Sequence, residues 1–164
     1  MELGTSFIDL TLRSMTMDDK EAYVALVADN IAHLTRHGDY EELRQIDDVS
    51  VDAELRDVDP ALVFGVRLDD RLIGRVDLVL RDGANVVLGY WLAEAYTRRG
   101  FATSACAALL EHARLNLGAM DIWAGVTTGN EASELLLLRL GFEMESDQGS
   151  YRRFHRSLLA ELND

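Results

Sequence analysis

The chain predicts an α+β fold: one mixed, mostly antiparallel sheet of about seven strands, flanked by helices. Three stretches carry that prediction. Between residues 61 and 92, three apolar runs are punctuated by Asp69-Asp70-Arg71 and by Arg81-Asp82-Gly83-Ala84-Asn85, as an antiparallel meander requires. The run 86–92, a polar glycine-containing loop, an alanine-rich helix and the apolar run 119–126 then form a β-α-β unit with one parallel crossover. Residues 142–145 and 151–158 read as a closing hairpin.

In chain order, residues 7–15 alternate Ile8, Leu10 and Leu12 with Asp9, Thr11 and Arg13, which predicts a half-buried strand. Thr16 or Asp18 suits the N-cap of a helix over 18–29, where Tyr23, Leu26 and Val27 share a face. Residues 30–59 are polar and predict helix in pieces. Strands follow at 61–68, 72–80 and 86–92, then a helix over 101–117 stopped by Gly118. A strand at 119–126 and a helix over 130–140 ended by Gly141 lead into the hairpin. With one proline, Pro60, and no linker or repeat, 1–164 reads as a single domain.

Composition narrows the function. Hydrophobic residues make up 48 % and charged residues 27 %, the balance of a packed globule. Sixteen Lys+Arg against 29 Asp+Glu leave a net charge of −13, which argues against direct nucleic-acid binding. The lone Cys106 can form neither an intrachain disulfide nor a thiolate cluster, and the four histidines lack ligand spacing, so no metal is expected. No apolar run is long enough to span a bilayer and no basic-then-apolar leader opens the chain; the expected setting is cytoplasmic. The acidity is uneven. Residues 1–60 hold 15 acidic and 5 basic side chains, residues 61–164 hold 14 and 11. The first part suits a cation and the second tolerates an anionic ligand, although the acids of 47–59 also suit a solvated helix face or loop.

The segment Thr97-Arg98-Arg99-Gly100-Phe101-Ala102 lies between a strand and a helix. A helix start offers about four unpaired N–H groups and a partial positive charge, which together suit a phosphate. Gly100 lets the backbone approach, Ala102 and Thr103 keep the first turn small, and Arg98 and Arg99 add donors. The spacing matches neither the dinucleotide fingerprint nor the phosphate-loop lysine pattern. Taken alone it is equally a tight turn at Gly100. Asn130 and Ser133, likewise, could simply cap the next helix.

Both blocks resemble the GNAT superfamily of N-acetyltransferases. Its cofactor motif reads Gln/Arg-x-x-Gly-x-Gly/Ala; Gly100 and Ala102 fill the last two slots, while Thr97 departs from the first. The preceding Gly89-Tyr90-Trp91-Leu92 is also similar to the family, as is Asn130-Glu131-Ala132-Ser133 opening a helix that ends in Gly141-Phe142. Leu10-Thr11-Leu12-Arg13, Met17-Asp18-Asp19 and Asn30-Ile31-Ala32-His33-Leu34 resemble the RimJ/RimL-type subgroup, whose members acetylate the N-terminal α-amine of ribosomal proteins; relatives act on amino acids, small amines and antibiotics. His37-Gly38-Asp39-Tyr40 stands where an aromatic-proline segment is common, implying a diverged substrate pocket.

The resemblance implies a sheet splayed at its centre, with the pantetheine arm of acetyl-CoA in the gap. Backbone groups near Trp91, Leu92 and Ala93 would bond that arm, while Arg98, Arg99, Gly100, Phe101, Ala102 and Thr103 would hold the pyrophosphate, with Asn130 and Ser133 as further cofactor contacts. A neutral amine then attacks directly in a ternary complex. An α-amine with pKa about 8 needs only a modest base. Glu94 is the first candidate, with a solvated loop carboxylate as the alternative. Asp77 is the second, as base or amine-binding group, or else as the polar face of a strand. Ser133 is a candidate donor to the leaving thiolate, with Tyr90 and Tyr151 behind it. His33, Asp77 and Tyr90 are expected at the substrate, and Cys106 in the core. The expected partner is an amine-bearing peptide N-terminus or small molecule, with a homodimer through an exposed edge strand. The alternative is a non-catalytic acyl-CoA-binding sensor or interaction module.

Overall fold

Asp69 and Asp70 both adopt left-handed backbone, φ 47° and 67°, and so join β3 (Val63–Leu68) to β4 (Arg71–Leu80) by a two-residue turn whose twist matches the strands. The computed structural model, which describes residues 1–159, extends this hairpin into an eight-stranded sheet. Its other strands are β1 (Glu2–Gly4), β2 (Leu10–Ser14), β5 (Asn85–Leu92), β6 (Asp121–Thr127), β7 (Glu143–Asp147) and β8 (Tyr151–Ser157). The spatial order is β1-β2-β3-β4-β5-β6-β8-β7, antiparallel throughout except for β5 beside β6. The α+β class and the mixed sheet match the expectation. The additional strand is β1, three residues with one half-buried side chain, too short to show a period.

Four α-helices cover the sheet: α1 (Lys20–Leu34), α2 (Asp48–Arg56), α3 (Phe101–Asn116) and α4 (Glu131–Arg139). On one face, Leu10, Leu12, Phe64, Val66, Val76, Leu78, Val86 and Leu88 meet the buried stripe of α3, including Ala105, Cys106, Leu109 and Ala113. The small side chains let α3 lie close to the strands. His112 on the same helix is buried but satisfied, bonded to the Ala61 carbonyl at 2.8 Å and to Asn116 at 2.9 Å. On the other face, α1 and α2 bury Tyr23, Val27, Val51 and Leu55 against Met15, Leu72 and Trp91. On that same face, Trp123 stays half-buried and Arg153 and Tyr151 are exposed.

Helix α1 runs on to Leu34, beyond the expected end at 29, because Asn30 bonds the Leu26 carbonyl at 2.9 Å and the helix remains packed. Its entry is a 3-10 turn capped reciprocally by Thr16 and Asp19. Asp19 also pairs with Arg67 in the interior, side chains 11 % and 8 % exposed, tying the helix start to β3. Helix α2 hides in the polar stretch because only Val51 and Leu55, one turn apart, are buried. Strand β6 begins at Asp121 rather than 119, and β7 spans 143–147 rather than 142–145. Among the described residues no helix is long and apolar enough to cross a membrane.

Candidate active site

Strands β5 and β6 pair only at Asn85–Asp121, Val86–Ile122 and Val87–Trp123. Beyond those rungs β5 stays with β4 as far as Leu92, while β6 stays with β8 as far as Thr127. The sheet therefore opens along its centre. Within an antiparallel strand a residue's N–H and C=O point the same way and alternate from residue to residue. Ala93 donates its N–H to Ile73 at 2.8 Å, toward β4, and the Tyr90 carbonyl accepts from the Tyr40 hydroxyl at 2.6 Å, away from β4. Leu88, Tyr90 and Leu92 thus present main-chain groups to the gap, whereas Gly89, Trp91 and Ala93 present theirs to β4. Of the expected trio, Leu92 faces the gap, Ala93 is bonded across the sheet and Trp91 packs its ring 6.1 Å from Tyr23. Alternation in the sequence does not say which set faces which way; the register with β4 decides.

Gly100 caps α3 with left-handed backbone, φ 81° and ψ 0°, and no side chain fills the cap. Arg98 is left-handed too, at φ 64°. Phe101, Ala102 and Thr103 fall within the first turn, where amides have no intrahelical acceptor. A Cβ on Gly100 would meet only the Phe7 ring, 3.6 Å away, so the bend is open on its outer side. Phe7 braces the turn edge-on against Phe101 at 5.0 Å. Arg98 and Arg99 are exposed, and Arg99 lies 5.7 Å over the Tyr96 ring. Cations, free amides and a helix N-terminus converge at one place.

Asp39, Tyr40, Gly89, Tyr90, Gly125 and Ser133 line a cleft of about 70 Å³ where the strands part. Asn130 also lines it and accepts the Ser133 N–H at 3.3 Å. The Tyr90 hydroxyl reaches the Ser133 carbonyl at 3.5 Å. Burial pushes the Tyr40 phenol well up, with the Asp77 charge adding to it, and burial does the same for Tyr90; both remain protonated donors at neutral pH. Asp39 accepts a hydrogen bond from Thr127, so the segment after α1 spans from β5 to the end of β6.

Asp77 stands behind Gly89. Arg75 Nε donates to its Oδ2 at 3.0 Å, and Arg75 is held in turn by Glu54 and by the Tyr23 hydroxyl at 3.2 Å. Asp77 Oδ1 lies 2.7 Å from where a Gly89 Cβ would sit, which only glycine permits. Glu94 and His33 form a separate group. The Glu94 side chain is 59 % exposed and faces Arg36 at 3.3 Å and His33 at 4.0 Å, while its N–H donates to Asn30. Neither lines the cleft. Cys106 is buried in α3, its thiol pushed up by burial.

The structure thus brings Tyr90, Asn130 and Ser133 around the opening, sets Asp77 behind Gly89 on Arg75, and groups Glu94 with His33 elsewhere. Thr127 was not foreseen as a site residue, and Asp39 and Tyr40 only as part of the segment expected to change the substrate pocket. Gly38, at φ 88°, marks a turn there, but the partners lie far along the chain and leave no local pattern.

The acetyltransferase (GNAT) domain profile matches residues 9–143. The chain is 28 % identical over 144 residues to the uncharacterized N-acetyltransferase YoaA of Bacillus subtilis (strain 168), covering 83 % of this chain and 80 % of that protein. Among solved structures, RimL, a ribosomal L7/L12 α-N-protein acetyltransferase in complex with coenzyme A, superposes with a TM-score of 0.84 at 16 % identity, covering 96 % of this chain and 98 % of that one. RimJ of Mycobacterium smegmatis in complex with CoA-disulfide gives 0.76 at 21 % identity, covering 100 % and 90 %. At such identities the structural likeness speaks for the fold.

Proposed function

The chain belongs to the GNAT acetyltransferase domain family, and on that premise we propose that residues 1–164 form one cytoplasmic N-acetyltransferase domain that moves an acetyl group from acetyl-CoA to a primary amine. The acceptor is a protein N-terminal α-amine, an amino acid or a small-molecule amine. One observation carries the reading: a strand edge, Leu88 to Leu92, no longer paired with β6, opens beside the uncapped N-terminus of α3. Apart from the Tyr90 carbonyl, which Tyr40 holds, the edge offers N–H and C=O groups to an amide-bearing arm, as a missing strand would. The helix start, with Arg98 and Arg99, offers donors and positive charge to a diphosphate. Coenzyme A-bound relatives of the same fold support the pairing.

Acetyl-CoA supplies an activated acyl thioester. The chain's part is to hold the two reactants together and to place charges and donors around them. Of the two candidate carboxylates, Asp77 is better placed: its Oδ1 is aimed over Gly89, while the Glu94 carboxylate faces Arg36 and His33. Asp77, with Asp39 across the cleft, attracts the acceptor's ammonium; once that group has given up one proton, the neutral amine's lone pair bonds the acyl carbon, and the nitrogen sheds its second proton to the carboxylate as the C–S bond breaks and the thiol of coenzyme A departs. The main-chain N–H groups of the gap edge stabilise negative charge on the acyl oxygen. Tyr90 and Ser133 donate toward the departing sulfur from the α4 side. A homodimer through an exposed edge strand, β1 or β7, belongs to the same proposal, and sedimentation tests it.

The experiment is thiol release from acetyl-CoA against peptide N-termini, amino acids and aminoglycosides, beside thermal unfolding with and without acetyl-CoA. Acetyl-CoA at a hundred times its Kd should stabilise the fold by about 2.7 kcal/mol. A thermal shift without thiol release for any amine favours the acyl-CoA sensor; no shift removes the reading altogether.

A further inference from the structure

A second groove, about 500 Å³, runs along the sheet face that α1 and α2 leave uncovered, lined by Arg81, Val87, Trp123, Gly125, Tyr151 and Arg153. Gly125 also lines the cleft at the strand opening, so the two adjoin at that residue. The groove floor is a prepared aromatic and cationic surface. Trp123 is anchored by its Nε1–H to Asn85 at 3.1 Å and by His155, whose ring lies 4.4 Å away and is itself paired with Asp121 at 2.7 Å. The Arg153 guanidinium sits 4.6 Å over the indole. Its carboxylate neighbour, Glu145, is 3.9 Å off, too far for a hydrogen bond, and both side chains are about half exposed. Arg81 makes no ion pair with any described residue. Asp82 is the acidic member of the lining. Two available guanidiniums beside an indole are notable in a chain of net charge −13.

We infer that this groove is the acceptor's second subsite and reads an acidic peptide segment following the N-terminal amine; the inference rests on the proposed acetyltransferase reading. The division of volumes supports a peptide. The cleft takes the amine and little more, and the groove has room for the residues behind it. The charges are arranged to match: Asp39 in the cleft and Asp77 behind Gly89 suit the ammonium, Arg81 and Arg153 suit carboxylates farther along. Arginine forks bind carboxylates in two-point fashion, and Arg153 rests over the Trp123 ring in position to do so.

The test uses the full chain, acetyl-CoA and peptides alike except for acidic, neutral or basic residues at their second to fourth positions. The acidic series should exceed the basic series by about tenfold or more in kcat/KM, about 1.4 kcal/mol, expressed in KM rather than kcat and weakening with salt. Arg153→Glu should reverse the order of kcat/KM between the acidic and basic series, the change again lying in KM. Binding is read separately through Trp123, the half-buried one of two tryptophans, with Trp123→Phe as the control for the signal. Equal kcat/KM for acidic and basic peptides overturns the subsite while leaving the acetyltransferase reading intact. So does an Arg153→Glu variant with an unchanged ratio, including one that dissociates a dimer in sedimentation, which would make the groove a contact between copies. Arg153-dependent binding of the acidic peptide without thiol release keeps the groove and overturns the acetyltransferase reading instead.

Discussion

Replacing Gly100 by valine separates the strain of the bend from its use. Gly100 sits at φ 81° and ψ 0°, a conformation that disfavours a β-branched residue by about 1–2 kcal/mol. The added Cβ meets only Phe7 at 3.6 Å, an ordinary contact, so no clash adds to that figure. For a chain this size each kcal/mol shifts Tm by about 2–4 °C, so the free variant should melt about 2–8 °C lower. Acetyl-CoA at a hundred times its Kd should raise the wild-type Tm by about 5–11 °C on the same scale. In Gly100→Val the isopropyl group occupies the open outer side of the bend, and that rise should disappear. Gly100→Asn, which tolerates the left-handed backbone, should recover much of the free stability without restoring the ligand effect. Differential scanning calorimetry with and without acetyl-CoA reads both quantities. A valine variant that keeps the full ligand-induced rise refutes the placement of the diphosphate; one that melts with the wild type refutes the strain.

Gly89→Ala would put a Cβ 2.7 Å from Asp77 Oδ1 and swing that carboxylate aside; acceptor KM should rise about tenfold, about 1.4 kcal/mol, with acetyl-CoA affinity unchanged, and a parallel loss of both would remove Asp77 from the amine. Asp19→Ala leaves Arg67 buried without its counter-charge and should cost about 3–5 kcal/mol in urea unfolding; a loss below about 1 kcal/mol contradicts the pairing. The Ser50 N–H holds the Asp47 carboxylate below the usual carboxylate range, so its contribution is complete above the unfolded pKa of about 3.9 and fades as pH falls through the lower folded value. The stability gap between wild type and Asp47→Ala should therefore be widest near neutral pH and close in acid; a gap of constant size speaks against the charge.

Much of the fold was legible because its signals are local. The Asp69-Asp70 turn, the Gly118 and Gly141 helix stops and the Asn130 cap each act within a few residues. The meander could be read from them without knowing what packed on it. Helix in pieces was legible over 30–59, but the bounds of α2 and the whole of strand β1 were not: one buries two side chains and the other spans three residues, too little for a period. At the site, the Gly100 bend was visible in sequence as a glycine between cations and a small-residue turn. The grouping of Glu94 with Arg36 and His33, rather than with the cleft, depends on where α1 ends against β5.

Residue order alone determined the meander, the helix stops at Gly118 and Gly141 and the glycine bend before α3, since each follows from the dihedral and hydrogen-bonding preferences of neighbours in the chain. Only the assembled sheet decided where β5 leaves β6, that Leu88, Tyr90 and Leu92 turn their main chain to the opening, and that Asp39 reaches Thr127 while Arg153 lies on Trp123. Those outcomes depend on strand register, where a shift of one residue reverses which groups face the gap, and on contacts between segments that share no local pattern.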